Sequence, residues 1–157
     1  MLKLNDDAVF DLLSWLEGRT FAEGVFEDRK GRLRRRFTVE MNGRADGGKL
    51  TLEENFVFDD GERQRRVWTL HRGSGHTFSG RSDDSASDAR GSFETGVAYL
   101  ASELKIKVGN RAVAMRFDDA FYVMAGGGVL NRSKVMKWGI ALGQVVMALR
   151  KKDQRSP

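Results

Sequence analysis

Three long charged residues stand where strand alternation turns them inward. In "RLRRRFTVEM", Leu33, Arg35, Phe37, Val39 and Met41 share one face, and Arg32, Arg34, Arg36, Thr38 and Glu40 share the other, because successive strand side chains point to opposite sides. The apolar set marks the inner face, so Arg35 faces inward. In "KLTLEENFVF", Glu54 falls between Leu52 and Phe56, and in "ERQRRVWTLH", Arg66 shares a face with Gln64, Trp68 and Leu70. A charge in an apolar interior needs a partner, because burying it alone is very costly. If these strands are neighbours, Arg35, Glu54 and Arg66 converge. Two guanidinium groups and one carboxylate suit the binding of an anion: Glu54 neutralises and orients one arginine and leaves the other for an acidic head group. The competing reading is an internal ion-pair network that satisfies itself.

Other residues with chemical potential are weaker candidates. His71 and His76, the only histidines, flank "RGSG", and a zinc site would need Asp83 or Asp84 as a third ligand. Two exposed histidines beside a turn are the expectation, with no metal and no cofactor. Ser74 lies between glycines but lacks the strand-to-helix setting of a nucleophile elbow. Gly126 to Gly128 lack the lysine and hydroxyl residue of a phosphate loop. The pairs Asp59–Asp60, Asp83–Asp84 and Asp118–Asp119 lack the alternating oxygen spacing of a calcium loop. With no cysteine in the chain, thiolate chemistry and disulfides are excluded. No residue is assigned a catalytic role, and no motif argues for an enzyme.

Charge and hydropathy exclude further classes. The 27 basic and 22 acidic residues leave a net charge of +5 with both signs mixed along the chain, whereas nucleic-acid binders concentrate their positive charge. Alternation makes Arg32, Arg34, Arg36, Arg63 and Arg65 a solvated outer face rather than a linear basic patch, and it turns most aromatic rings inward, away from any stacking role. No nucleic-acid partner is expected. No apolar run reaches the ~18 residues of a spanning helix, and "MLKLNDDAVF" lacks the pattern of a signal peptide. The sequence as it stands predicts a cytoplasmic protein.

The elements that must position these residues follow from periodicity. Val9, Leu12, Leu13 and Leu16 recur at helical spacing behind Asn5 or Asp6 as cap, with Gly18 as the stop, which predicts one short helix over about residues 5–17. From Thr20 the period changes to two, and strands recur every ten to fourteen residues with turn chemistry between them. The expected fold is mainly β, an antiparallel up-and-down barrel of about eight to ten strands over residues 20–150, in a single domain of 1–157 with a frayed tail at 151–157. "SDDSASDARG" reads as a mobile loop. "IALGQVVMAL" is apolar on both faces, so the helix is expected to pack near this last strand. The predicted barrel lining is Leu33, Phe37, Val39, Leu52, Phe56, Trp68, Leu70, Phe78, Leu100 and Leu104.

The segments "RRFTVEMNG", "LTLEENFVFDDGERQRRVW", "RFDDAFYVM" and "VLNRSKVMKWG" resemble a bacterial family catalogued as a domain of unknown function. The resemblance covers roughly Thr20 to Arg150. Its members are often described as lipoproteins and look lipocalin-like, which implies a barrel and leaves periplasmic or membrane-anchored forms open, although this chain has no lipobox cysteine. Two functions follow. The first is binding of a small acidic, fatty-acid-like amphiphile by Arg35, Glu54, Arg66, Phe37, Phe56 and Trp68. The second is a structural or interaction module with a filled barrel and no ligand.

Overall fold

In the computed structural model, which describes residues 8–152, ten antiparallel strands close into one barrel in sequential order. They are β1 (Gly18–Asp28), β2 (Leu33–Asp46), β3 (Lys49–Phe58), β4 (Arg63–Arg72), β5 (Thr77–Ser82), β6 (Ala89–Glu94), β7 (Val97–Val108), β8 (Arg111–Val123), β9 (Val129–Lys137) and β10 (Ile140–Lys151). The seam is made by β1 on β10, from Thr20 opposite Lys151 to Asp28 opposite Gly143. Closure leaves no free sheet edge.

The mainly β expectation of an antiparallel barrel holds. "ARGSFE" forms β6, and "RAVAMRF" and "FYVM" belong to one strand, β8. "NGRADGG" is mostly strand, since β2 continues to Asp46 opposite Lys49. The "SDDSASDARG" loop is tied to β7: the Ala86 amide donates to the Glu103 carbonyl at 2.8 Å and the Lys105 amide to Asp84 at 2.7 Å.

The helix is much shorter than its apolar stripe suggested. α1 spans only Leu12–Trp15, capped by Asp11, whose carboxylate accepts from the Ser14 amide. The expected caps Asn5 and Asp6 lie outside the described residues. Val9 is extended rather than helical because it pairs with Thr95, while the Phe10 amide donates to the Glu94 carbonyl.

All turns between even and following odd strands gather at one barrel end, and α1 plugs that end. Phe10, Leu12, Leu13 and Leu16 are buried there. The plug does not cover the outer face of β10; it meets that strand only at its end. There the Lys151 ammonium donates to the carbonyls of Trp15 and Glu17 at 2.7 and 2.8 Å and to the Thr20 hydroxyl, completing carbonyls that a helix end leaves open. Trp15 donates from its indole to the Gly127 carbonyl, and Arg72 reaches both Asp11 and Ser14. Gly43 lies directly under the Leu16 carbonyl, where a Cβ would collide. Among the described residues no helix is long and apolar enough to cross a membrane.

Candidate site inside the barrel

The lumen contains a cavity of about 420 Å³, bounded below by Leu12 and Leu16 of the plug segment. Alternation along each strand sends one row of side chains into it. Near the plug the wall is apolar, with Leu52, Trp68, Leu70, Phe78 and Leu100. Gly91 keeps the wall thin where the Phe78 ring lies across it, and Phe78 stacks on Phe93 at 4.8 Å. Toward the open end Phe37, Phe56 and Phe58 form an aromatic cluster with centroids 5.7–6.2 Å apart. A second depression of about 520 Å³ lies on the outer wall over β10, β1, β2 and β3. It is shallow and open, so the lumen, with its converging polar groups, is the candidate site.

A polar belt crosses the lumen at mid-height. Glu54 on β3 stands directly opposite Arg66 on β4. From the far side come Ser102 on β7, Asp119 on β8, and Asn131 and Ser133 on β9, all lining the cavity. Arg66 is held by Asp84 from the tied-down loop, with Nε donating to Oδ2 at 2.9 Å and Oδ1 at 3.2 Å; Asp84 also accepts from the Ser82 hydroxyl. Asp119 accepts from Asn131 at 3.2 Å, and Ser133 is its cross-strand neighbour.

This belt is unusual in its ionisation. Burial pushes the Glu54 carboxyl up to about 7; the Arg66 charge opposes the shift, and Asp119 and Asp84 add to it. Burial likewise raises Asp119 to about 6, against hydrogen bonds from Ser133 and Asn131. Both carboxyls are therefore held protonated to higher pH than exposed ones. One of the belt's polar atoms, Glu54 Oε1, is buried without a hydrogen-bond partner among the described residues. Orphaned polar atoms of this kind are rare in folded proteins, because desolvation leaves them uncompensated.

The expected triad does not assemble. Arg35 lines the cavity but sits at the mouth, where it stacks on Phe58 at 3.8 Å and pairs with Asp60 at 3.2 Å and Glu62 at 3.5 Å. The reason is register: Phe37 is opposite Phe58 and Met41 opposite Glu54, so Arg35 lies beyond the end of β3 and meets the β3–β4 turn instead. Leu33 is 57% exposed and outside the lumen. Val39 is fully buried between Ala22 and Phe56 rather than on the cavity wall. Phe37, Phe56, Trp68 and the remaining predicted lining residues do face the cavity. His71 and His76 are exposed beside the β4–β5 turn, at the plugged end, whereas Asp83 and Asp84 follow the opposite end of β5.

Sequence reasoning missed Asp119, Asn131, Ser133, Ser102 and Asp84. The signal for four of them was the one that found Glu54. In "FDDAF", Asp119 alternates with Phe117 and Phe121; in "VLNRSKV", Asn131 and Ser133 lie between Val129 and Val135; in "LASEL", Ser102 lies between Leu100 and Leu104. Only Asp84, in a loop, had no such signal.

Fold and cavity together define a closed lipocalin-like barrel with a polar belt in its lumen. The chain belongs to the family described as "Protein of unknown function (DUF3833)", which matches residues 3–151. It is also similar in structure to the S-type phycobiliprotein lyase CPES from Guillardia theta, with a TM-score of 0.66 at 8% identity over 92% of each chain; at that identity the likeness is one of fold. No curated protein matches the sequence significantly.

Proposed function

We propose that the barrel binds one small, mainly apolar molecule in its lumen, with a hydrogen-bond-donating or weakly basic polar end at the belt. The carrying observation is the cavity of about 420 Å³ inside the barrel, open at the mouth, with the unpartnered Glu54 Oε1 on its wall. A filled barrel, the structural-module alternative, would leave no such volume. Cavities that hold small ligands begin near ~300 Å³ and pair apolar walls with a few polar groups. Balance of charge selects the polar end. At mid-height Glu54, Asp84 and Asp119 face one guanidinium, Arg66, which Asp84 already engages. A ligand N–H or ammonium supplies a donor for the one Glu54 oxygen, Oε1, that has none among the described residues.

The acidic amphiphile expected from sequence is the second reading. Arg66 still borders the cavity, and Glu54, protonated below about pH 7, would donate to a ligand carboxylate. The two readings have opposite pH dependence. Displacement of a fluorescent probe from the intact protein is expected to give micromolar binding of a long-chain amine. That binding should strengthen as pH rises from about 5 to about 8 and weaken about ten-fold in Glu54→Gln, through loss of a charge-assisted bond. A fatty acid that binds better at the lower pH and is lost in Arg66→Met would establish the second reading. If neither binds, and native mass spectrometry of protein from its own host shows no retained molecule, the ligand reading is wrong.

A further inference from the structure

The open end of the barrel is divided in charge. The β3–β4 turn carries Asp59, Asp60 and Glu62, and the β5–β6 loop carries Asp83, Asp84 and Asp88. The other three hairpins at this end, β7–β8, β9–β10 and β1–β2, are consecutive around the closed barrel. Between them they place Lys105, Lys107, Arg111, Lys137, Lys30 and Arg32 at the rim; from Leu104 to Arg116 and from Val129 to Lys152 there is no acidic residue, and in the β1–β2 hairpin Asp28 is paired with Arg34.

The exposed large apolar residues of this end all fall in that basic half. Val108 (52%) and Ile140 (54%) continue the inward-facing rows past the rim, Leu33 (57%) stands at the rim opposite Glu27, beyond a bulge in the β1–β2 pairing, and Trp138, 86% exposed, occupies the apex of the β9–β10 turn. Trp138 is the one non-glycine residue with positive φ among the described residues, at 51°. A bulky residue is disfavoured there by about 1 kcal/mol or more, and among the described residues the ring is left 86% exposed, with the Lys137 ammonium over it at 4.2 Å. Folding gains little from an indole at this position.

We propose that this half of the mouth docks on the surface of an anionic lipid bilayer, with Trp138, Ile140, Val108 and Leu33 entering the interface and the surrounding lysines and arginines meeting lipid phosphates. Apolar tips ringed by Lys and Arg are what such surfaces attract: the apolar groups leave water, and basic residues near the surface are drawn by its negative potential. Trp is suited to that depth because its ring is apolar while its N–H stays hydrogen-bonded. The acidic half of the rim would tilt away, placing the cavity mouth beside the bilayer. The proposal rests on the surface of the mouth and stands whether or not an amphiphile fills the lumen.

Flotation of the full chain with vesicles tests it. Vesicles of phosphatidylcholine with about a third phosphatidylglycerol are expected to carry the protein and shift its tryptophan emission to the blue, while pure phosphatidylcholine carries much less. Trp138→Asn, which suits a left-handed turn, should lower partitioning at least about ten-fold, as loss of a large buried apolar group does. Met124→Asn, at the plugged end, should leave it unchanged. If the protein does not float with anionic vesicles at low salt, or floats equally well without the indole, the inference is overturned. The basic half is then left to an acidic protein.

Discussion

The two ends of this barrel are built from the same materials and end differently. At the plugged end, Phe10, Leu12, Leu13 and Leu16 are buried by the chain itself. Two cations there are engaged by the plug: Arg72 pairs with Asp11 at 2.8 Å, and Lys151 donates to Trp15 and Glu17. At the open end, Leu33, Val108, Trp138 and Ile140 are exposed, and the basic residues around them outnumber local acids. Apolar residues and cations therefore stabilise the fold at one end and remain available at the other. The polar belt lies between, with Glu54, Ser102, Asn131 and Ser133 buried and Arg66 and Asp84 partly exposed. Its raised carboxyl pKa values follow from that position.

The largest expected effect is at the plug. Leu12 is 1% exposed and bounds the cavity floor. Leu12→Ala should cost about 3 to 4 kcal/mol in chemical denaturation, through lost transfer energy and an enlarged void. A cost below about 1 kcal/mol would mean that the plug is a loosely seated lid, and the contrast between the ends would disappear.

An intermediate effect is expected in the belt, and it depends on pH. Glu54 titrates near 7 in the folded protein against 4.5 when unperturbed. Between those values the folded chain holds a proton that the unfolded chain has released, so this group's contribution to stability falls as pH rises through the window and is constant above it. Asp119, raised to about 6 from 3.8, acts with the same sign over a lower window. Replacing Glu54 by Gln removes its share. The variant should be about 3 kcal/mol more stable than the parent at pH 8 and nearly equal to it at pH 4. Equal stability at both pH values would show that the belt is wet enough to ionise freely, like the mouth.

Much of this architecture was legible in the sequence, for a specific reason. Period-two alternation places each strand residue inside or outside whatever the strand's neighbours are, so Glu54, Arg66, Phe37, Phe56 and Trp68 were assigned to the lumen without knowledge of topology. Alternation does not say how far along the barrel axis a residue lies. That depends on cross-strand register, and Phe37 opposite Phe58 is what moves Arg35 to the mouth and away from Glu54. The helix was overestimated for a related reason. Val9 fits the apolar stripe, but its backbone is taken by Thr95, a long-range pairing that local spacing does not encode. Loop contributions such as Asp84 on Arg66 are invisible to periodicity altogether.

The smallest effects are expected at the open end and on the outer wall. Arg36 pairs with Asp59 at 3.6 Å with its side chain 69% exposed, and an exposed pair of that kind contributes little. Arg36→Gln should change stability by no more than about 0.5 kcal/mol. Trp138→Asn should change it as little, by cancellation. Losing the ring removes an exposed cation–π contact with Lys137, worth about 0.5 to 1 kcal/mol. Asparagine, however, tolerates the left-handed conformation that φ of 51° imposes on Trp138, and relief of that strain is of similar size. A net change near zero, measured by thermal and chemical unfolding, would confirm that the indole is not retained for the fold. A loss of 2 kcal/mol or more, the range expected when a well-packed aromatic side chain is removed, would show instead that Trp138 packs against the barrel, and would leave the mouth as self-satisfied as the plugged end.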